Sequence, residues 1–215
     1  EDKSSPAIDV EFNCVNSRDI ASIFKVKKLD SVSAIIWTTT PWTLPANEAI
    51  SVNPKFKYGL YESNSKFFIL AEELADIRFK TYKLPAKKVA SCKGDELEGL
   101  LFSHPFIEKS VPIICGDHVT TETGTGLGHT APAHGLDDYI VGIKYKLPVE
   151  NPVDANGKFK KNVPIFSGLT VWDANSKIID VLKSKNLLVH EENFVHSYPH
   201  CWRHRTPIIF RATQQ

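Results

Sequence analysis

The chain has 215 residues, 42% of them hydrophobic and 24% charged, an ordinary globular composition with room for one good core or two small ones. Lys and Arg total 26 against 25 Asp and Glu, so the net charge of +1 offers no basic field for gripping a nucleic-acid duplex and no acidic tail. Apolar runs such as Phe67 to Ala71 and Val111 to Cys115 fall far short of the ~20 residues that cross a bilayer as a helix. Cys14, Cys92, Cys115 and Cys201 are scattered with no CxxC pair, which fits reduced thiols better than a disulfide framework. The sequence contains no methionine and starts Glu1-Asp2-Lys3 without a signal pattern, suggesting a chain processed or cut from something larger.

In chain order, Ile8, Val10 and Phe12 alternate with polar residues as in a half-buried strand. Ser17 is placed to cap a helix carrying Ile20, Ile23 and Phe24, and Ser33 to Trp37 reads as a buried strand. Phe56, Tyr58 and Leu60 alternate, and Ser63-Asn64-Ser65 turns the chain into Lys66 to Ala71, which predicts a hairpin. A short helix is expected over Glu72 to Lys80, then strands over Lys88 to Cys92, Val111 to Cys115 and Gly126 to Thr130. Asp137 is placed to cap a helix whose inner face is Ile140, Ile143 and Leu147, and Asp173 one that buries Ile178, Val181 and Leu182. Between them Asn151 to Gly168, rich in Asn, Gly, Pro and Lys, reads as a mobile loop or hairpin and the candidate lid. Leu187 to His190 and Pro207 to Arg211 complete the strands. Many short, unevenly spaced strands with a few helices predict a β-rich α+β domain built on a closed β-barrel.

Two segments carry more than structure needs. Trp37-Thr38-Thr39-Thr40-Pro41-Trp42-Thr43-Leu44-Pro45-Ala46-Asn47 leaves a buried strand with four threonines among two prolines and two tryptophans. Consecutive threonines on extended chain project to both faces, so one or two point into any adjoining cleft and can bond a ribose, a phosphate or a water. A rigid turn with Trp37 and Trp42 in the core is the plain structural alternative. Gly124 to Tyr139, containing Gly126, Gly128, His129, Thr130, His134, Asp137 and Asp138, lets backbone approach a ligand closely and then delivers two histidines and two carboxylates before a helix. It is neither a P-loop nor G-x-G-x-x-G. Helix capping explains one of the aspartates well and two less well. His190, His196, His200, Cys201 and His204 also crowd the C-terminal stretch, but only Cys201-Trp202-Arg203-His204 has ligand spacing, and a structural zinc needs a second pair.

These segments, with Tyr198-Pro-His-Cys-Trp-Arg203, Thr206 to Thr213, Ser5 to Val10 and Gly116-Asp-His118, closely resemble the editing insertion (connective peptide 1) of bacterial-like isoleucyl-tRNA synthetases over nearly the whole chain. Thr40-Pro41-Trp42 favours the isoleucyl branch, since the valyl and leucyl relatives typically carry Arg after the first two threonines. The resemblance implies hydrolysis of valine from Val-tRNA(Ile); the alternative is a non-catalytic module that binds the aminoacylated tRNA 3′ end. It assigns Asp138 as the anchor of the substrate amino group. Thr38, Thr39 and Thr40 fall to the terminal adenosine and the amino-acid pocket, and Asn47 lies nearby. His129 sits beside the substrate side chain, where bulk rejects isoleucine, although a neutral imidazole could also activate water. Trp37, Gly126, Gly128, Thr130 and His134 are counted as lining the same site. No Ser-His-Asp or Cys-His arrangement is evident, so direct attack by water is expected. The resemblance further implies no metal and no cofactor in this domain, with ATP and Mg belonging to the parent enzyme's synthetic site. The implied partners are the tRNA(Ile) 3′ CCA end and the synthetase catalytic body, in a cytoplasmic, monomeric enzyme. Residues 1–12 and 197–215 are expected to be the connections to that body and 13–196 the editing domain.

Overall fold

The computed structural model describes residues 1–213. Ten strands and four α-helices form one mixed sheet with decoration: β1 Asp2–Asn13, α1 Ser17–Ile23, β2 Val32–Thr38, β3 Ala49–Val52, β4 Lys57–Ser63, β5 Lys66–Ala71, α2 Glu72–Tyr82, β6 Lys87–Lys93, β7 Leu101–Ser103, β8 Ser110–Cys115, β9 Leu127–Thr130, α3 Leu136–Lys144, α4 Val171–Ser184 and β10 Leu188–Ser197. This is the expected β-rich α+β architecture. The strand order is β6-β4-β5-β2-β9-β3-β8-β7, with β1 flanked by β2 and β10. The sheet curls until β7 meets β1 at the Cys14–Phe102 bridge, and Val15 N–H donates to Leu101 O at 3.0 Å. That narrow seam is all that closes the ring β1-β2-β9-β3-β8-β7.

β2 is the hub. Its residues Val32 to Ile36 are all buried, and it pairs antiparallel with β1 along one edge. Along the other edge it has two successive parallel partners, β5 at Val32 to Ala34 and β9 at Trp37. A strand covered on both faces reads as a continuous apolar run, which is how Ser33 to Trp37 is recognisable in the sequence. The exchange of partners happens where β5 ends at Ala71. Ala71 N–H donates to Thr125 O at 2.9 Å, and Gly126, at φ +75°, passes so close that a Cβ would sit 2.3 Å from that of Ala71. Only glycine satisfies both conditions.

The β4–β5 hairpin turns through Asn64 and Ser65, both at positive φ, the two-residue geometry that matches strand twist. β3 and β7 are strands of four and three residues, too short to show a period in the sequence. Pro207 to Arg211, expected as a strand, makes only the His200–Pro207 bridge, with Ala212 N–H reaching Ala133 O. Helix caps fall one to three residues earlier than expected. Asn16 caps α1 through the Arg18 amide, and Thr170 caps α4 through the Asp173 amide. Residues 151–168 form a pinned hairpin: Val153 pairs with Phe159, Lys158 pairs with Thr170, and Val153, Phe159 and Phe166 enter the main core. Three core side chains tie this segment down, which does not suit a lid.

α3 is turned over relative to the apolar pattern. Leu136, Tyr139, Ile140 and Ile143 lie exposed, while Asp138, Val141, Gly142 and Tyr145 form the inward stripe. Two contacts set this rotation: the Asp138 carboxylate accepts from Ala131 N–H at 2.9 Å, and Gly142 sits where a Cβ would touch the Pro132 ring at 2.8 Å.

β1 and β10 form an antiparallel ribbon from Asp2–Ser197 to Val10–Leu188, with a bulge at Asp9–Val10. β1 runs unbroken from this ribbon into the barrel. At the root lies a buried carboxylate, Asp9, 1% exposed, which accepts from Tyr82 Oη–H at 2.8 Å. Arg78 stands 3.8 Å from both Asp9 and Glu192. Burial outweighs these favourable neighbours and raises the Asp9 pKa to about 6.

Two outcomes test this arrangement. A folded-state pKa above the ordinary value of 3.8 means that protonated Asp9 favours the fold. Its contribution is therefore full below about pH 4 and is lost as pH rises through about 6. Urea unfolding of Asp9→Asn should show the variant more stable than the parent at pH 7.5, by about 2 kcal/mol, with the difference vanishing near pH 4. Gly126→Ala should cost about 2 kcal/mol or more, from the combined left-handed strain and the contact with Ala71, read by the same measurement.

Candidate active site

The threonine-rich segment leaves β2 at Thr38 and folds at once into a 3-10 turn over Pro41–Ala46, in which every residue is buried. Prolines at 41 and 45 limit its backbone. Two distant side chains hold it: Asn175 Oδ1 on α4 accepts from Trp42 N–H at 2.9 Å, and His104 Nε2 lies 2.9 Å from Leu44 O. His104 Nδ1 accepts from the amides of Phe106 and Ile107, so its Nε2 is the donor to Leu44, and burial lowers its pKa to about 4. Nothing in the local sequence marks His104 or Asn175, because their role exists only once β7 and α4 pack against the turn.

The register Trp37–Gly128 places Thr38 beside His129, on the same side of the sheet. The polar side chains there form one chain of contacts. Thr38 Oγ1 accepts from Thr40 N–H at 3.1 Å, and Thr40 Oγ1 lies 3.3 Å from the hydroxyls of both Thr38 and Thr43. Thr43 Oγ1 lies 2.7 Å from His129 Nε2, and Asn47 Nδ2 lies 3.2 Å from His129 Nδ1. Asn47 Nδ2 also donates to Ala49 O at 2.9 Å, and Asn47 Oδ1 is buried without a partner. His129 is half-buried at the surface of this cluster, and desolvation, followed by the proximity of His104 and His134, lowers its pKa to about 3. It is a neutral imidazole at physiological pH.

Asp138 approaches from the other end of β9. Its Oδ2 accepts from Ala131 N–H, the amide just after the strand, and not from an amide of its own helix, whose N-cap is Gly135. Capping therefore does not account for this carboxylate. Burial raises its pKa, opposed by the Ala131 bond and by His118. Asp137, next to it, is exposed.

Thus Thr38, Thr40, Asn47 and His129 share one network, and Thr43, the fourth threonine of the motif, to which neither its spacing nor the resemblance assigns a role, is its central member. Thr39 lies just past the end of β2, and its carbonyl accepts from Ser5 Oγ–H at 3.3 Å. Thr130 faces the opposite side of β9 from His129 and meets Ser51 Oγ at 2.5 Å. His134 packs edge-on against Trp42 at 4.9 Å between ring centroids, with Nδ1 2.9 Å from Phe210 O. Trp37 packs edge-on against Phe194 and covers Gly124. Gly126 serves the strand fork, whereas a Cβ on Gly128 would meet open space. Cys201 Sγ and His204 Nδ1 come within 3.4 Å, and among the described residues no group of three or more His, Cys, Asp or Glu gathers around a point.

A cleft of about 1000 Å³ opens beside the start of α3. It is lined by Pro132, Gly135, Leu136, Tyr139, Phe210 and Arg211, and borders the Asp138 helix without including the threonine–histidine network. No described helix is long and apolar enough to cross a membrane.

The family described as leucyl-tRNA synthetase, editing domain, matches residues 16–190. The isoleucine–tRNA ligases of Nitrosomonas europaea and Dechloromonas aromatica are 50% and 52% identical to the chain over its whole length, which spans 24% of each. Crystal structures of the cytosolic leucyl-tRNA synthetase editing domains of P. knowlesi and P. falciparum share the fold. Their TM-scores are both 0.66, at 12% and 13% identity, covering 92% and 90% of this chain and 98% and 100% of theirs. The chain belongs to the aminoacyl-tRNA synthetase editing-domain family, and its similarity at about half identity is to isoleucine–tRNA ligases.

Proposed function

We propose that the chain is the post-transfer editing hydrolase of an isoleucyl-tRNA synthetase, cleaving the ester of Val-tRNA(Ile). Valine lacks one methylene of isoleucine, and a hydrophobic pocket discriminates weakly on so little, so a second site must destroy what the first admits; isoleucyl synthetases are the standard illustration of this limit. The observation that supports the reading is the joining of Thr38, Thr40, Thr43, Asn47 and His129 in one network, with the Asp138 carboxylate held at the far end of the same strand.

In this reading Asp138, with Oδ1 free of the Ala131 bond, receives the α-ammonium group through a charge-assisted hydrogen bond. The incoming cation restores the anionic form that burial disfavours. Neutral His129 bounds the side-chain pocket and rejects the larger amino acid. Thr38 and Thr40 hydroxyls, which both donate and accept, hold the terminal ribose and the attacking water. Water adds to the ester carbonyl, the tetrahedral centre collapses, and the ribose oxygen leaves with a proton, giving free valine and tRNA. This hydrolysis consumes only water and needs no cofactor. The near-neutral charge suits a domain that takes a single-stranded CCA end, with the duplex left to the synthetase body, which the β1–β10 ribbon would join.

Deacylation assays with Val-tRNA(Ile) and Ile-tRNA(Ile) test the reading directly. The parent chain should hydrolyse the first and spare the second, and Asp138→Asn should lower kcat/KM by about thirtyfold, the value of a charged hydrogen bond. The raised Asp138 pKa requires that activity fall with decreasing pH above the ordinary carboxylate range, and that the residual activity of Asp138→Asn lose this limb. His129→Ala should begin to hydrolyse Ile-tRNA(Ile). Binding of a nonhydrolysable valyl-adenosine analogue by a chain that does not hydrolyse Val-tRNA(Ile) would replace the hydrolase with a non-catalytic 3′-end module.

A further inference from the structure

The hydrogen positions in the threonine–histidine network follow from counting donors and acceptors. Thr43 has a single hydroxyl proton, and its oxygen lies 2.8 Å from the Thr40 carbonyl, a group that can only accept. That proton is committed. Towards His129, 2.7 Å away, Thr43 Oγ1 is therefore the acceptor, and His129 Nε2 must carry hydrogen. A neutral imidazole has one N–H, so Nδ1 holds a lone pair. The other side of the ring agrees independently. The amide of Asn47 is oriented by its bond to Ala49 O, so the group facing Nδ1 at 3.2 Å is an NH2, a donor. The opposite tautomer, like the imidazolium, would set an N–H of the ring against an N–H of Asn47. Both ring nitrogens are thus occupied, and neither is free to take a proton from water. The desolvated surroundings act in the same direction, favouring the neutral ring.

Building on the editing reading, we propose that Thr43 is a positioning residue: with Asn47 it holds His129 in the Nε2–H tautomer, and as acceptor of that N–H it fixes the ring plane, so that the imidazole is a rigid wall of the amino-acid pocket and not the base that activates water. The geometry of the turn makes this possible. Thr43 stands three residues after Thr40 within the 3-10 turn, which brings its hydroxyl onto the Thr40 carbonyl, and Thr43 N–H bonds the same carbonyl at 3.0 Å. His104 and Asn175 hold the turn from outside, so the wall is braced from the residue just after β7 and from α4. Asn47, 0% exposed, plays the matching part at Nδ1.

The test is nitrogen-15 NMR of the histidine rings in the 215-residue chain, where two-bond proton–nitrogen correlations separate the tautomers. His129 should show the Nε2–H pattern, unchanged from about pH 5.5 to 8. Thr43→Ser should retain that pattern together with discrimination between valyl and isoleucyl esters. Thr43→Val, which keeps the shape and removes the hydroxyl, should keep the tautomer that Asn47 also favours but shift the His129 Nε2–H resonance as its acceptor is lost, and its preference for Val-tRNA(Ile) over Ile-tRNA(Ile) should fall by about tenfold or more as the ring plane is freed. Finding His129 in the Nδ1–H or charged form in the unsubstituted chain would overturn the proposal whether or not the variant folds. So would a Thr43→Val chain whose Nε2–H resonance and preference are both unchanged. Absence of valyl-ester hydrolysis in the unsubstituted chain would strike the editing reading itself, and the spectra alone would still decide the tautomer.

Discussion

The site depends on a change of partner along one edge of β2. Over Val32 to Ala34 that edge is taken by β5, and at Trp37 by β9, both parallel to it. Because side chains in register on neighbouring parallel strands share a face, this single exchange sets Thr38 and His129 side by side although they are 91 positions apart. It can occur only if β5 stops and β9 begins within one strand spacing. Ala71 and Gly126 meet at that point, and the absence of a Cβ on Gly126 is what lets them. A glycine that the motif presents as a ligand-approach residue is thereby a requirement of the sheet.

Around this fork, polar groups are arranged as a rigid scaffold with little freedom to reorganise. The turn at Pro41–Ala46 is buried and clamped by His104 and Asn175, and its hydroxyls point to one another and to His129. Preorganised groups in a partly desolvated site do not have to reorient when the substrate arrives. Two histidines in the region, His104 and His129, are held neutral by burial, and each has both ring nitrogens engaged. A carboxylate placed to meet a charged substrate is Asp138, which has one oxygen bonded to a backbone amide. This division between neutral walls and one ionisable anchor suits a substrate that carries a single positive charge on its amino group.

Much of the architecture was legible without coordinates. The buried run at Ser33 to Trp37, the Ser63-Asn64-Ser65 hairpin and the helix carrying Ile178 and Leu182 are set by local pattern and turn chemistry, and the structure has them all. Where tertiary contacts compete with local pattern, the contacts win. α3 looks as though Ile140 and Ile143 face the core, yet the Asp138–Ala131 bond and the Gly142–Pro132 contact rotate it the other way. β3 and β7 are too short for a period to show, and Pro207 to Arg211 has strand composition but no neighbouring edge beyond one bridge. Thr130 falls on the wrong face of β9 to join the network and meets Ser51 instead, a distinction that becomes visible only with the register.

By itself, then, the sequence determined the class of fold, the two segments that carry the chemistry and, through their resemblance, the family to which the chain belongs. Those features reside in local composition and in long contiguous motifs, and need no knowledge of what lies across the sheet. Tertiary structure alone decided which of the threonines act together, why Gly126 is a glycine, which way α3 faces and which nitrogen of His129 bears the proton. Each of these is a relation between residues from separate elements, fixed by strand register and by the pairing of donors with acceptors. A linear string contains the groups but not their adjacency.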